Sequence, residues 1–170
     1  MSGILSRWKL RRCARVGRSP TVRGRVLVVG PGSVQVGDGV LLDGAWAPIE
    51  LKTFDPDSQI VLGDRVRIES GTSIEAVASV RIGAGARLGA FSKVMDNHFH
   101  SLAGDRHARP SSDPVEIGEG AAIGDRAVLL AGARIGKGAV VRAGAVVGRR
   151  LPVPAGAVAG GSPARLEADG

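Results

Sequence analysis

Aromatic side chains are scarce in this chain of 170 residues: Tyr is absent, and Phe and Trp together number five. A core filled largely by rings, as in many globular domains, is thereby excluded. Small aliphatic side chains must fill it instead. Cysteine occurs once, at Cys13, so no intrachain disulfide can form, and that thiol reads as incidental. No run approaches the ~20 apolar residues of a membrane span. The first 25 residues also lack the apolar stretch of a secretory signal, so a cytoplasmic location is expected. Those residues contain no acid but eight Arg or Lys, and they account for the net charge of +7. We therefore set residues 1–21 apart as a basic N-terminal arm, followed by one domain over 22–165 and a tail over 166–170. The arm reads either as a solvated tail or as a peripheral contact at the inner face of a membrane. The second reading uses Ile4, Leu5, Trp8 and Leu10 beside Arg and Lys. No nucleic-acid partner is expected, because the rings that single-strand binders interleave with cations are nearly missing.

Glycine is plentiful, with 26 residues, roughly twice average usage. It belongs to a repeat. From Ile117 the branched aliphatics recur every six residues, at Ile123, Leu129, Ile135, Val141 and Val147. Two positions before them stand Val115, Ala121, Ala127, Ala133, Ala139 and Ala145. Six residues match neither a helix nor a simple hairpin array. They match a chain that turns a corner every six residues, with the large aliphatic inward and the small residue near the corner. Three faces close a coil of about eighteen residues, and stacked coils bury their aliphatics on one another. The same step runs through Leu62, Ile68 and Ile74, then through Ile82, Leu88 and Val94, with a two-residue slip between Ile74 and Ile82. The stretch from Asp43 to Asp57 breaks the rhythm and is expected to be a loop or a distorted coil. From Val94 to Ile117 the step is 23 instead of six, so about seventeen residues leave the stack as an excursion near 95–114. All three histidines, His98, His100 and His107, lie within it.

The run Val115–Arg150 and the ending GGSPAR, Gly160–Arg165, resemble the hexapeptide-repeat acyltransferases. That resemblance implies an all-β, left-handed parallel β-helix, usually assembled as a homotrimer. The handedness comes from the resemblance, since the usual crossover rule favours right-handed connections. Within the family the chain is most similar to the O-acetyltransferases of sugars and polysaccharides, in which a loop begins near a catalytic His. Here DNHFHS, Asp96–Ser101, stands at that place, with Ser101 where the family often has Pro.

The resemblance implies transfer of acetyl from acetyl-CoA to a saccharide hydroxyl, with no metal. Such a reaction needs a base, donors for an oxyanion and a groove for the acyl carrier. His titrates near neutrality; His100 matches the family's base, with His98 the runner-up. In an extended chain Asp96, His98 and His100 share one side, where Asp96 could orient an imidazole or bind an acceptor hydroxyl. The family's CoA contacts carry over to positions near Asp125, Ala143, Gly148, Arg149 and Arg165, and Arg150 joins Arg149 and Arg165 as a guanidinium suited to phosphate. Ala122 stands where the family often has Trp, and Gly148–Arg149 where it has Thr-Lys. Two alternatives are a γ-carbonic-anhydrase-like metalloprotein with His-bound zinc, and a non-catalytic β-helix scaffold.

Overall fold

The computed structural model describes residues 3–97 and 111–167. Apart from one short helix, its regular elements are strands, and these form three ladders. The first runs through Arg15–Val16, Ser33–Val36, Gln59–Leu62, Ser79–Ile82, Val115–Ile117 and Arg134–Ile135, all parallel. The second begins in the near halves of Thr21–Val29 and Leu41–Thr53. It continues through Arg67–Ile68, Arg87–Leu88, Ala122–Ile123, Val140–Val141 and Val158–Gly160. The third takes the far halves of the same two long strands, then Ser73–Ala76, Lys93–Met95, Val128–Leu129 and Val146–Val147. Along the chain the strands visit the three faces in turn. The fold is the left-handed parallel β-helix that the repeat and the resemblance together imply, with about seven turns.

The six-residue step is visible in the core. Leu42, Ile68, Leu88, Ile123 and Val141 stack in register on the second face. Leu51, Ile74, Val94, Leu129 and Val147 do so on the third. Each is buried between the coils above and below, and each such burial is worth roughly 1.5–3 kcal/mol. Ala121, Ala127, Ala133, Ala139 and Ala145 are fully buried just after the turns. Their N–H groups close those turns, as Ala133 does on the Leu130 carbonyl at 2.9 Å. A larger side chain there would overpack the bend.

The stretch from Asp43 to Asp57 is the distorted-coil alternative rather than a loop. Residues 41–53 form one strand that bends across a corner, opposite a register shift between Gly24 and Val26. Pairing with the coils on both sides holds it extended. The surplus residues collect in a turn, where Ser58 N–H donates to the Asp55 carbonyl at 3.0 Å.

The basic segment is not a free tail. The helix Gly3–Lys9 lies on the first coil, the Val22 N–H donates to Ser6 Oγ at 3.1 Å, and Lys9 Nζ donates to the Gly24 carbonyl at 2.7 Å. Leu10, counted above among surface apolar residues, is fully buried in the core, and Arg15–Val16 already belongs to the first ladder. The open end of a stacked core needs an apolar cover, and Leu10 supplies it. Leu5 and Trp8 remain exposed, with Arg11 4.5 Å over the indole. No helix among the described residues is long and apolar enough to cross a membrane.

Candidate functional site

The excursion leaves from one corner, between the third face and the first. Ile82 stacks on Ile117, 35 positions on, whereas Ile117 stacks on Ile135, 18 positions on. The difference of 17 is the excursion. Its neck is closed by an antiparallel bridge between Asn97 and Ser112, and by the Asp113 N–H donating to the Asp96 carbonyl at 2.7 Å. His98, His100 and His107 lie outside the described residues.

Asp96 is fully buried at this neck. Its carboxylate accepts the N–H groups of Val77 at 2.8 Å, Ala78 at 2.7 Å and Ser79 at 2.7 Å, and the Asn97 side-chain amide at 3.2 Å. Those three backbone amides belong to the corner that carries the two-residue slip. A widened corner turns successive N–H groups inward, where they need an acceptor. A carboxylate has about four acceptor positions, and all are taken. Asp96 therefore anchors the root of the excursion. The expectation that it orients an imidazole or binds an acceptor hydroxyl does not fit this packing.

On the C-terminal side of the neck the same corner continues. The Gly132 N–H donates to the Asp113 carbonyl at 2.8 Å, and Leu151 N–H to the Gly148 carbonyl at 3.1 Å. Here lies a cavity of about 490 Å³ walled by Leu130, Val146, Leu151 and Pro163, with Arg149 and Arg150 at its edge. Both arginines are exposed. Gly148, Arg149 and Arg150, named from sequence and consecutive in it, line this cavity.

The other three do not. Asp125 and Ala143 lie one corner away, between the second and third faces. There Asp125 Oδ1 accepts the Ala90 N–H at 3.0 Å and its carbonyl accepts the Gly144 N–H at 2.8 Å. These are bonds of the coil stack. Arg165 sits on a closing strand, Arg165–Leu166, antiparallel to Val158–Gly160; its neighbours Pro163 and Ala164 line the cavity instead.

On the N-terminal side of the neck is a second cavity, of about 340 Å³, which the sequence did not single out. Asp57, Gln59, Ser79, Arg81 and Ser112 line it. Its only sequence signal is the slip between Ile74 and Ile82, which marks the corner beside it. A third cavity, of about 400 Å³, lies at the corner between the second and third faces, between Trp46 and Phe91.

Among the described residues no group of three or more His, Cys, Asp or Glu is placed to hold a metal ion. The Cys13 thiol is pushed up to about 11 by burial, so it stays protonated near neutrality.

Residues 114–149 match the family described as bacterial transferase hexapeptide (six repeats). No curated protein sequence matches the chain. Among solved structures it is similar to AntD, an N-acyltransferase from Bacillus cereus, in complex with dTDP and 3-hydroxybutyryl-CoA. The TM-score is 0.77 at 16% identity, over 98% of this chain and 89% of that one. A mutant of AntD in complex with dTDP-4-amino-4,6-dideoxyglucose and coenzyme A aligns with a TM-score of 0.76 at 17% identity, over 95% and 87%. A hexapeptide-repeat containing acetyltransferase from Vibrio cholerae O1 biovar eltor, complexed with acetyl-CoA, aligns with a TM-score of 0.67 at 22% identity, over 97% and 76%. The chain carries the hexapeptide repeat and shares the fold of these enzymes.

Proposed function

We propose that this protein is an acyl-CoA-dependent acyltransferase that moves acetyl from acetyl-CoA to a hydroxyl of a saccharide. The observation that carries the reading is the corner itself. The long excursion of the stack, which contains every histidine, leaves between two cavities of opposite character. The apolar cavity edged by Arg149 and Arg150 suits a carrier with a long neutral arm and a phosphate-bearing end. The polar cavity suits a hydroxyl-rich acceptor. Relatives of the same fold bind coenzyme A, acetyl-CoA or a dTDP-sugar, which supports the assignment of a donor and a saccharide.

In this reading His100 removes the acceptor proton as the hydroxyl oxygen attacks the thioester carbonyl. The acetyl group passes directly to that oxygen. The sulfur leaves with its electron pair and takes up a proton, giving free coenzyme A and an acetyl ester. Asp96 holds the neck of the segment whose sequence carries His98 and His100. Arg149 and Arg150 fix the phosphates, Gly148 lets the carrier approach the backbone, and Asp125, Ala143 and Arg165 belong to the same donor groove when neighbouring subunits flank it. The active particle is a homotrimer in the cytoplasm.

The test is acetyl transfer to a panel of sugars and sugar nucleotides. His100→Ala should lower kcat at least about 100-fold, with acetyl-CoA affinity little changed, and His98→Ala should cost less. Full activity in His100→Ala would remove His100 as the base. An amide product would make the enzyme an N-acyltransferase. Stoichiometric zinc without coenzyme A binding would replace this reading with the carbonic-anhydrase-like one. Light scattering checks the trimer, against three times the 17.4 kDa of the chain.

A further inference from the structure

The cavity on the N-terminal side of the neck holds an unspent positive charge. Arg81 is the exposed, outward position of the strand Ser79–Ile82. In the ladder it stands between Val61 and Glu116. Yet among the described residues it makes no ion pair, neither with Glu116 nor with Asp57, which lines the same cavity. Among the described residues three other arginines have an ion pair: Arg18 with Asp38 at 2.7 Å, Arg23 with Asp43 at 3.2 Å and Arg142 with Glu167 at 2.9 Å.

Two residues before Arg81 on the same face is Ser79. Its N–H is held by Asp96, so the backbone at this point is rigidly set. Its hydroxyl, among the described residues, is the one buried side-chain polar atom without a hydrogen-bond partner. A buried hydroxyl left unused costs stability and calls for an explanation. Asp57 and Gln59 add further hydrogen-bonding groups across the opening, and Ser112 adds the neck itself. A free guanidinium beside an idle hydroxyl, a carboxylate and an amide is the donor and acceptor set for a polyhydroxylated ligand that also carries an anion.

We propose that Arg81 is a specificity residue that reads a phosphate on the acceptor, so that the enzyme takes a phosphorylated saccharide in preference to the free sugar. Guanidinium matches phosphate in a bidentate geometry that a neutral hydroxyl cannot reproduce. Asp57, Gln59 and Ser79 then bind the sugar hydroxyls. The inference rests on the acyltransfer reading above. It divides the arginines of the corner between two ligands: Arg149 and Arg150 for the donor, Arg81 for the acceptor.

The experiment measures binding by calorimetry of glucose, glucose 1-phosphate, UDP-glucose and coenzyme A to the full chain and to Arg81→Gln. The two phosphorylated probes should bind the unaltered protein at least about tenfold more tightly than glucose, and Arg81→Gln should erase that preference while coenzyme A binds as before. A gain already complete with glucose 1-phosphate assigns Arg81 to a monophosphate; a gain only with UDP-glucose assigns it to a diphosphate. Equal binding of glucose and both phosphorylated probes would overturn the inference, as would no binding of either phosphorylated probe, or an Arg81→Gln variant that weakens only coenzyme A. Failure of the unaltered protein to bind coenzyme A would strike the acyltransfer reading instead.

Discussion

The Asp96 carboxylate accepts the Val77 N–H at 2.8 Å across nineteen positions of sequence. That bond ties the neck of the excursion to the one corner where the coil carries two residues too many. Ala78 and Ser79 complete the clamp. Removing the carboxylate leaves three amides without their acceptor, each a buried or partly buried group.

Asp96→Ala should therefore lower stability by roughly 2–4 kcal/mol, read from urea unfolding. Asp96→Asn should also destabilise, because its amide would turn a donor toward donors. If Asp96 served only to orient an imidazole, Asp96→Asn would instead lower kcat and leave the urea midpoint where it was.

Arg149→Gln and Arg150→Gln should each raise KM for acetyl-CoA by about tenfold, the worth of one charge-assisted contact, with kcat little changed. The effect should shrink in high salt, since both side chains are exposed. Steady-state kinetics at two ionic strengths checks this. A fall in kcat at unchanged KM would show that these arginines act elsewhere than on the donor.

Gly71 and Gly120 both sit at corners with positive φ, +75° and +64°. A Cβ on Gly71 would strike the Phe91 ring, whereas one on Gly120 meets nothing within 4 Å. Gly120→Ala should thus cost only the left-handed backbone strain, about 1–2 kcal/mol. Gly71→Ala should cost more, and Phe91→Ala in the same chain should return it to the Gly120→Ala value. Thermal unfolding of Gly120→Ala, Gly71→Ala, Phe91→Ala and the double variant decides it, with the double read against Phe91→Ala. Phe91 is itself at φ +58°, an unusual conformation for a bulky residue.

The Cys13 thiol rises from its ordinary 9.0 to about 11 through burial. Its neutral form is favoured by folding, so its contribution is complete below pH 9.0 and is lost as pH climbs toward about 11. The unfolding free energy should fall across that window, and it should fall less steeply in Cys13→Ala. Alkylation by iodoacetamide at pH 8 should be slow in the native protein and fast in urea. Fast native alkylation would mean that the thiol is exposed.

Much of the fold was legible because a β-helix writes its core into the sequence as a period. Leu129 and Val147, or Ile123 and Val141, are stacked in the structure at the spacing that the count implies. The neck of the excursion was legible for the same reason, since the step from Val94 to Ile117 fits no face. Less could be read where the chain departs from the period. Leu10 looks like any apolar residue in a basic segment, and only the open end of the first coil makes it core. Asp43 to Thr53 lacks the pattern yet stays in strand, because parallel neighbours on both sides supply its hydrogen bonds. Asp125 and Arg149 are alike in the sequence as polar corner residues, but they occupy different corners.

The sequence by itself determined the repeat, the three-faced coil, the buried ladders and the place where the stack is interrupted. Each of these depends on the local order of large, small and turn-forming residues. Tertiary structure alone decided that Asp96 is an anchor, that the interruption lies between a polar and an apolar cavity, and that Arg81, among the described residues, stands without an ion pair beside Ser79. Those relationships join residues one coil or more apart. They depend on how many residues each corner absorbs, and a six-residue count does not carry that information across a slip.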